Sequence, residues 1–340
     1  MRILKAHFVW AFLLLNLQYA GLAGAASLFE DVGILEVTLS GPLGSLIKQT
    51  EQREEQSFVL HADGVDHDIK VRIRGNSRVR VCDFPPLRLN FSTADTAGTV
   101  FADQDKLKLV THCRNYDRAE MDSIEEFMAY RILNIIQDAS YRVRLLRFHY
   151  DDTDRELDAK AAERFGFLIE SEDQLAARIG ADRAQLQAVP KRMLDPVQAA
   201  KVFVFQYLIA NTDWGLVKAD YAEVCCHNID LFEKDGRLIL VPYDFDLAGV
   251  VNAQYAFPDS SLRIKRVTQR LYRGLCVDRE ALRTALQAVK SRREDILAVL
   301  AQIPGLSADD VQARSRYLGK FFAAANDEEK LLRNFERRCK

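Results

Sequence analysis

The spacing of apolar residues changes along this chain, and that change constrains its fold more than any other feature. Between residues 33 and 110 the segments "GILEVTLSG", "DIKVRIRGN" and "PLRLNFS" alternate between apolar and polar positions. Successive side chains of a β-strand point to opposite faces, so this alternation predicts strands with one buried face. Residues 141–150 and 165–171 return to the same β-like composition.

One segment within this part has helical spacing instead. The apolar residues of "SIEEFMAYRILNII" recur three or four positions apart: Ile124, Phe127, Met128, Ile132 and Ile135. Ser123 and Glu126 have the spacing of a capping box, which predicts that the helix begins there. Residues 26–171 are therefore predicted to form a β-rich lobe with one long helix.

The second half of the chain, residues 172–340, is predicted to be mainly helical. "LDPVQAAKVFVFQYLIAN" is apolar almost all round, with Asp195 as the N-cap and Pro196 at the first helical position, so it predicts a buried helix. A β-hairpin with an Asp235-Gly236 turn is predicted within "HNIDLFEKDGRLILVPYDFD". Further helices are predicted from about residue 279 to residue 338.

The N-terminus has the composition of a secretory signal peptide. A basic start, "MRILKAH", precedes the apolar run "FVWAFLLLNL" and the small residues of "GLAGAAS". This order predicts a signal peptide over residues 1–25 and a secreted or periplasmic protein without a stable membrane span after cleavage. The alternative is a retained signal anchor, although ten apolar residues are short for a span of roughly 20 residues.

Six cysteines follow the predicted cleavage site: Cys82, Cys113, Cys225, Cys226, Cys276 and Cys339. An even number in an oxidising compartment predicts up to three disulfides, and the absence of a CxxC pair argues against a zinc cluster. We predict a Cys82–Cys113 bond, because both residues end apparent neighbouring strands. The adjacent Cys225 and Cys226 are predicted to have different partners.

The formal net charge of −2 gives no basic excess for a nucleic-acid partner.

Three segments place polar residues beside apolar elements. Asp213 lies in "LIANTDWG", Asn228 in "CCHNIDLF" and Asp244 in "VPYDFD". The predicted hairpin puts Asn228 across from Asp244, which would form a hard-oxygen site for Mg²⁺ or Mn²⁺. Asp213 beside them would take a proton from a hydroxyl. Each residue taken alone is as readily explained as a helix end, a turn residue or a cap.

The order of several motifs resembles the CotH kinase-like family. They are "RIRGNS", "FPPLRLNF", "KLKLV", "FGFLIES", "ANTDW", "HNIDLF" and "PYDFD", which together span about residues 66–250. The resemblance implies an α+β, bilobed protein-kinase-like fold with a β-rich N-lobe and a mainly helical C-lobe. It also implies an exported protein that uses ATP and a divalent metal, Mg²⁺ or Mn²⁺, to phosphorylate a protein or another extracytoplasmic acceptor.

The resemblance also assigns roles to individual residues. Asp213 would be the catalytic aspartate, Asn228 and Asp244 would hold the metal, and Asp246 would support a second metal or the loop. The implied nucleotide-binding residues are Arg74, Asn76 and Arg88 at the phosphates, Glu126 paired with one of these cations, and Glu170 near the adenine. Arg would bind phosphate through bidentate contacts.

The chain departs from the family pattern in three places. The lysine often found in the "FPPLRLNF" segment is replaced by Arg88, or its charge is supplied by Lys106 or Lys108. The interval from Asp213 to Asn228 is 15 residues, which implies an inserted loop, and no glycine-rich phosphate loop is present. Two other hypotheses therefore stay open: a kinase-like scaffold of the cell envelope without catalysis, and a metal-dependent phosphohydrolase.

Overall fold

The fold was obtained as a computed structural model. It describes residues 28–51, 53–76, 78–217 and 224–340. The predicted signal peptide at residues 1–25 lies outside the described residues.

Seven strands of the first half close into a barrel. They are β1 (Leu35–Gly41), β2 (Gln56–Ala62), β3 (Val65–Ile73), β4 (Leu87–Phe91), β5 (Lys106–Val110), β6 (Val143–Asp152) and β7 (Glu163–Ile169). Their order around the barrel is β1-β2-β3-β4-β5-β7-β6. Alternate side chains point inward, as the sequence pattern predicts, and Leu39, Leu60, Val71 and Leu89 are completely shielded from solvent.

The barrel closes through a parallel pair, β1 with β6, in which Val37 lies opposite Phe148. This closure overturns the expected fold. The expectation of a bilobed, protein-kinase-like fold with a mainly helical C-lobe is wrong: the chain forms a closed seven-stranded barrel, a second small sheet and helices. The alternation along each strand predicts which face is buried but contains no information on a pairing between segments more than 100 residues apart.

A long helix, α3 (Asp117–Ile136), packs against the barrel, mainly on β7. The helix is as predicted, but its predicted start is wrong. It begins two turns earlier, after Tyr116, and Ser123 lies in its interior, where the hydroxyl donates to the backbone oxygen of Thr111 at 2.8 Å. The hydrogen bond to a neighbouring segment takes the place of the predicted cap.

The second half contains a three-stranded sheet and the remaining long helices. The sheet has the order β10-β9-β8, with β8 (Asp182–Ala184), β9 (Ile229–Lys234) and β10 (Arg237–Pro242). The predicted Asp235-Gly236 hairpin joins β9 and β10, and Pro242 pairs with Ile229. Helix α5 (Pro196–Ile209) begins as predicted, since the Asp195 side chain accepts from the amides of Val197 and Gln198.

The remaining helices divide between two hydrophobic cores. These helices are α1 (Leu43–Lys48), α2 (Arg78–Val81), α4 (Glu172–Ile179), α6 (Arg279–Ser291), α7 (Arg293–Leu300), α8 (Ala308–Ala324) and α9 (Glu328–Glu336). One core fills the barrel, with α1 and α2 packing on it, and the other lies between α3, α5, β9, β10 and the C-terminal helices. Among the described residues, none of the helices combines the length and apolar character needed to cross a bilayer.

Three disulfides join the six cysteines. The predicted Cys82–Cys113 bond is confirmed, and it ties the end of α2 to the segment that follows β5. The prediction of different partners for Cys225 and Cys226 is wrong, because the two bond to each other across a cis peptide. The third bond, Cys276–Cys339, anchors the C-terminal residues after α9.

Candidate functional site

A polar cleft lies where the end of β3, helix α3 and the segment after β10 meet. Its walls consist of Arg74, Gly75, Asn76, Arg78, Pro86, Lys108, Val110, Glu126, Tyr130, Tyr141, Ile169, Tyr243 and Asp244. Cations come from the barrel side of the cleft, and carboxylates come from α3 and from the end of β10. The cleft brings together four of the residues predicted from the sequence: Arg74, Asn76, Glu126 and Asp244.

The centre of the cleft is a buried ion-pair network around Arg78. Its Nη2 donates to Glu126 Oε2 at 2.6 Å, and its Nε donates to Asp246 Oδ2 at 3.0 Å. Asp244 Oδ1 lies 3.7 Å from Nη2, and the hydroxyl of Tyr255 also donates to Asp246, at 3.0 Å. One guanidinium therefore joins α2, α3 and the segment after β10.

Local structure fixes the position of Arg78. Helix α2 has a single turn and could not hold a side chain in place on its own. The Cys82–Cys113 bond follows it directly, and Phe84 forms a bridge to Cys113, with its amide donating to the Cys113 oxygen at 2.9 Å. These contacts hold α2 against the barrel, so its arginine is directed at α3.

Asp244 is positioned by its backbone as well as by its side chain. Its φ of 60° lies in the left-handed region, which Asp tolerates better than most residues, and its amide donates to Tyr130 Oη at 2.9 Å. Enclosure in the cleft raises the pKa of Asp244 to about 8, and repulsion from Asp246 adds to this effect. The side chain nevertheless keeps 44% of its surface open, so a ligand in the cleft can reach it.

Asp213, His227 and Asn228 form a second group beside the cleft. The Asp213 carboxylate contacts His227 Nε2 through Oδ1 at 2.9 Å, and Asn228 Nδ2 donates to Oδ2 at 2.9 Å. A backbone bridge between Gly215 and His227 holds the two segments together. The hydrogen bond with Asp213 raises the pKa of His227, and the charge of Asp213 raises the pKa of Asp244.

The predicted placement of Asn228 across from Asp244 is wrong by one residue. Ile229 pairs with Pro242, and the next residue, Asn228, therefore lies opposite Tyr243. The φ of Asn228 is 54°, its backbone oxygen accepts from the Tyr243 amide at 3.1 Å, and its side-chain amide turns towards Asp213. Both side-chain hydrogen bonds of Asn228 use Nδ2, and its Oδ1 oxygen makes no hydrogen bond with a described residue. Asn228 thus orients Asp213 while keeping an oxygen donor.

Lys108 contributes a cation and two aromatic neighbours to the cleft. It forms an ion pair with Glu172, and its Nζ lies 5.9 and 5.6 Å from the ring centroids of Tyr141 and Tyr243. The Tyr141 hydroxyl donates to Asp230 at 2.5 Å, and burial is the main cause that raises the pKa of Asp230. These contacts make an aromatic end to the cleft.

Three predicted residues have other surroundings. Glu170 is buried and accepts two hydrogen bonds from Arg178, at 2.9 and 2.8 Å, outside the cleft wall. Arg88 lies next to Lys108 in register on the outer face of β4 but does not line the cleft. Asp246 is buried, and its described polar contacts are with Arg78 and Tyr255.

Sequence reasoning missed Arg78 and left His227 without a role. Arg78 lies two residues after Asn76, so the signal was present in "RGNSRVR", but three nearby arginines competed for the same role. His227 precedes Asn228 directly, and its contact with Asp213 depends on a bridge between segments 12 residues apart. Lys108, which was one of two alternatives for the missing lysine, is the one that lines the cleft.

The cleft fits a divalent metal in part. Within the part of the chain that the structure describes, no group of three or more His, Cys, Asp or Glu side chains is arranged to hold a metal ion. However, Mg²⁺ is often bound by one or two protein oxygens together with phosphates and water. Asp244 and the amide oxygen of Asn228 would supply such donors, and a cation would offset the burial and the carboxylate repulsion that together raise the pKa of Asp244.

No family model matches this chain, and a search of curated proteins returned no significant match.

Proposed function

We propose that this protein is an exported phosphotransferase that binds ATP with Mg²⁺ or Mn²⁺ and transfers phosphate to a protein or another extracytoplasmic acceptor. The observation that carries the proposal is the pairing of opposite chemistries across one cleft. Arg74, Asn76 and Lys108 line the barrel side, and Asp244 lies opposite with Asp213 nearby. Phosphoryl transfer needs cations for the phosphates and a base, such as an aspartate carboxylate, near the acceptor hydroxyl.

Arg74 is the strongest candidate for phosphate binding. Its guanidinium has no hydrogen-bond or ion-pair partner among the described residues, whereas Arg78 is occupied by Glu126 and Asp246. Burial lowers the pKa of Arg74, and the charge of Asp244 opposes that shift. A free guanidinium in a cleft is suited to bidentate contact with phosphate oxygens.

Asp244 and Asn228 would hold the divalent metal. When bound there, a metal would supply charge neutralisation and orientation of the phosphate oxygens. The residues of the chain then act as follows: Arg74 and Lys108 orient the nucleotide phosphates, and Arg78 keeps Glu126 and Asp246 away from them by pairing with both.

Asp213 is suited to accept the proton of the acceptor. The acceptor oxygen would form the new bond to the γ-phosphorus, its proton would pass to Asp213, and the bond from phosphorus to the bridging oxygen would break with its electron pair leaving on ADP. The contacts with His227 and Asn228 hold the carboxylate in one orientation. A base positioned in this way contributes roughly 10²- to 10⁴-fold to rate.

The disulfides bear on where this activity would take place. Three disulfides are typical of proteins that fold in an oxidising compartment, which supports an extracytoplasmic location.

The free volume inside the cleft is about 60 Å³, whereas sites for drug-sized ligands enclose ≈ 300–1,000 Å³. Nucleotide binding therefore requires the walls of the cleft to separate.

The narrow cleft favours a second candidate, a binding module of the cell envelope without catalysis. Thermal unfolding with ATP, with Mg²⁺ or Mn²⁺, and with both separates the two. A nucleotide at 100 times its Kd should stabilise the fold by ≈ 2.7 kcal/mol. Absence of any shift would reject the phosphotransferase and support the binding module.

Labelled ATP distinguishes transfer from hydrolysis. Incubation with γ-labelled ATP and metal should place label on the protein itself or on an added protein acceptor. Release of free phosphate alone would instead indicate a phosphohydrolase using the same acidic residues.

A further inference from the structure

A second cavity lies on the other side of α3 from the cleft. Its volume is about 390 Å³, and it is lined by Phe29, Glu30, Val32, Arg131, Asn134, Ile135, Asp138, Ser140, Arg142, Val143 and Arg178. The wall therefore combines the start of the described chain, the C-terminal half of α3 and the beginning of β6. None of these residues lines the cleft.

Two of the three arginines in this wall have no partner for their guanidinium group among the described residues. Arg178 is fully engaged, since it donates to both Glu170 oxygens and to the backbone oxygens of Asp138 and Ser140. By contrast, the guanidinium groups of Arg131 and Arg142 make no hydrogen bond, ion pair or ring contact with any described residue. Both side chains are half-buried and line the same cavity.

The electrostatic setting of Arg131 is unfavourable without a ligand. Burial lowers its pKa, and no neighbouring carboxylate opposes that shift. Glu30 and Asp138 also line the cavity but are exposed, and neither forms an ion pair with Arg131 or Arg142 in the described part of the chain. A partly desolvated cation without a counter-charge is costly, and an anion in the cavity would remove that cost.

One part of the remaining wall is apolar and could pack against a small body next to the anion. Phe29, Ile135 and Val143 line the cavity together with the exposed Val32. Asn134 Nδ2 donates to the Ser140 hydroxyl and to the Tyr141 backbone oxygen. These two hydrogen bonds fix the segment of the wall just before β6. The cavity volume is within the range of small-molecule sites.

We propose that this cavity binds a small organic anion, in which a carboxylate or phosphate group contacts Arg131 and Arg142 and an apolar body packs on Phe29, Val32 and Ile135. Guanidinium groups bind both oxyanions in a bidentate manner, so the two arginines define the charge of the ligand. This site is independent of the phosphotransferase proposed for the cleft.

Calorimetry and thermal unfolding of the full chain with four probes test this proposal. Benzoate and phenyl phosphate carry an oxyanion on an apolar ring, whereas acetate and inorganic phosphate carry the oxyanion with little or no apolar body. Benzoate or phenyl phosphate should raise the Tm and bind more tightly than acetate or inorganic phosphate. The comparison between the two ring compounds shows whether the site prefers a carboxylate or a phosphate.

Matched variants locate the binding. Arg131→Gln and Arg142→Gln should each weaken binding about tenfold or more, since each removes a charge-assisted contact, and Arg316→Gln, an exposed α8 residue with no contact to the cavity, should not. Binding that survives the double variant R131Q/R142Q, or no binding of any probe to the unaltered protein, would overturn the proposal. Equal binding of inorganic phosphate and phenyl phosphate would overturn its apolar component.

Discussion

Arg78 donates a hydrogen bond of 2.6 Å to Glu126, and this contact joins a one-turn helix of the barrel to the middle of the long helix α3. The same guanidinium donates to Asp246 beyond β10. Three segments that are distant in the sequence therefore depend on one buried cation. Since Glu126 and Asp246 are both buried, neither can replace Arg78 with water.

Removing Arg78 should destabilise the fold strongly. Arg78→Met leaves the buried carboxylates of Glu126 and Asp246 without a counter-charge, which costs roughly 3–5 kcal/mol in similar cases. Arg80→Met changes an exposed residue of the same short helix and should alter the unfolding free energy little. Urea unfolding of the two variants measures the difference, and an equal loss in both would show that the ion-pair network does not stabilise the protein.

Asp244 should be required for metal-dependent nucleotide binding. Asp244→Asn keeps a residue that tolerates the left-handed backbone but removes the carboxylate that would face the metal. We expect the thermal stabilisation by ATP with Mg²⁺ to disappear in this variant and to persist in Asp68→Asn, an exposed carboxylate on β3. Stabilisation that is retained in Asp244→Asn would remove this residue from the metal site.

Asp213 should affect transfer rather than binding. Asp213→Asn keeps the size of the side chain but removes the base, so transfer should fall by roughly 10²- to 10⁴-fold while the Kd for nucleotide changes little. Rates of label transfer and calorimetric titration of the same preparation supply the two numbers. If the variant is only less stable and transfers normally, Asp213 serves to end α5 and to hold His227.

The pH dependence of stability should report on Glu125, a buried α3 residue paired with Arg314 and Arg118. Burial raises its pKa from 4.5 to about 7. A raised carboxyl pKa means that the folded state holds the proton more tightly than the unfolded state does. The protonated Glu125 therefore contributes its full stabilisation below pH 4.5, and this stabilisation is lost as the pH rises through about 7. The resulting loss in the free energy of unfolding is on the order of 3 kcal/mol.

Glu125→Gln isolates this effect. Gln is neutral at every pH. The free energy of unfolding of the variant should therefore rise relative to that of the unaltered protein as the pH increases from about 5 to about 8. Glu294→Gln, an exposed residue of α7, should show no such change. Parallel curves for the unaltered protein and Glu125→Gln would contradict the assignment of the titration to Glu125.

The Cys82–Cys113 disulfide should stabilise the protein substantially. It closes a loop with a sequence separation of 31, for which chain entropy gives about 4 kcal/mol. The double variant C82A/C113A should unfold at a correspondingly lower urea concentration than the unaltered protein. Peptide mapping without reduction checks all three bonds, and a Cys225 or Cys226 peptide linked to a third cysteine would contradict the observed pairing.

The sequence predicted those features that depend on neighbouring residues. The strand alternation, the Asp195 cap of α5, the Asp235-Gly236 hairpin and the Cys82–Cys113 bond are all present in the structure. The order of Asp213, Asn228 and Asp244 also indicated residues that lie near one another. For the strands, the cap and the hairpin, the physical cause lies within one segment or between adjacent segments.

Only the tertiary structure decided the architecture and the partners of the charged residues. The parallel β1–β6 pair closes the barrel, and no pattern within either strand specifies that pairing. Several arginines near residue 74 had the same local signal, and burial against Glu126 and Asp246 selected Arg78 for the ion-pair network. Local sequence determines which face of an element is apolar, whereas burial and charge pairing depend on which elements meet in space.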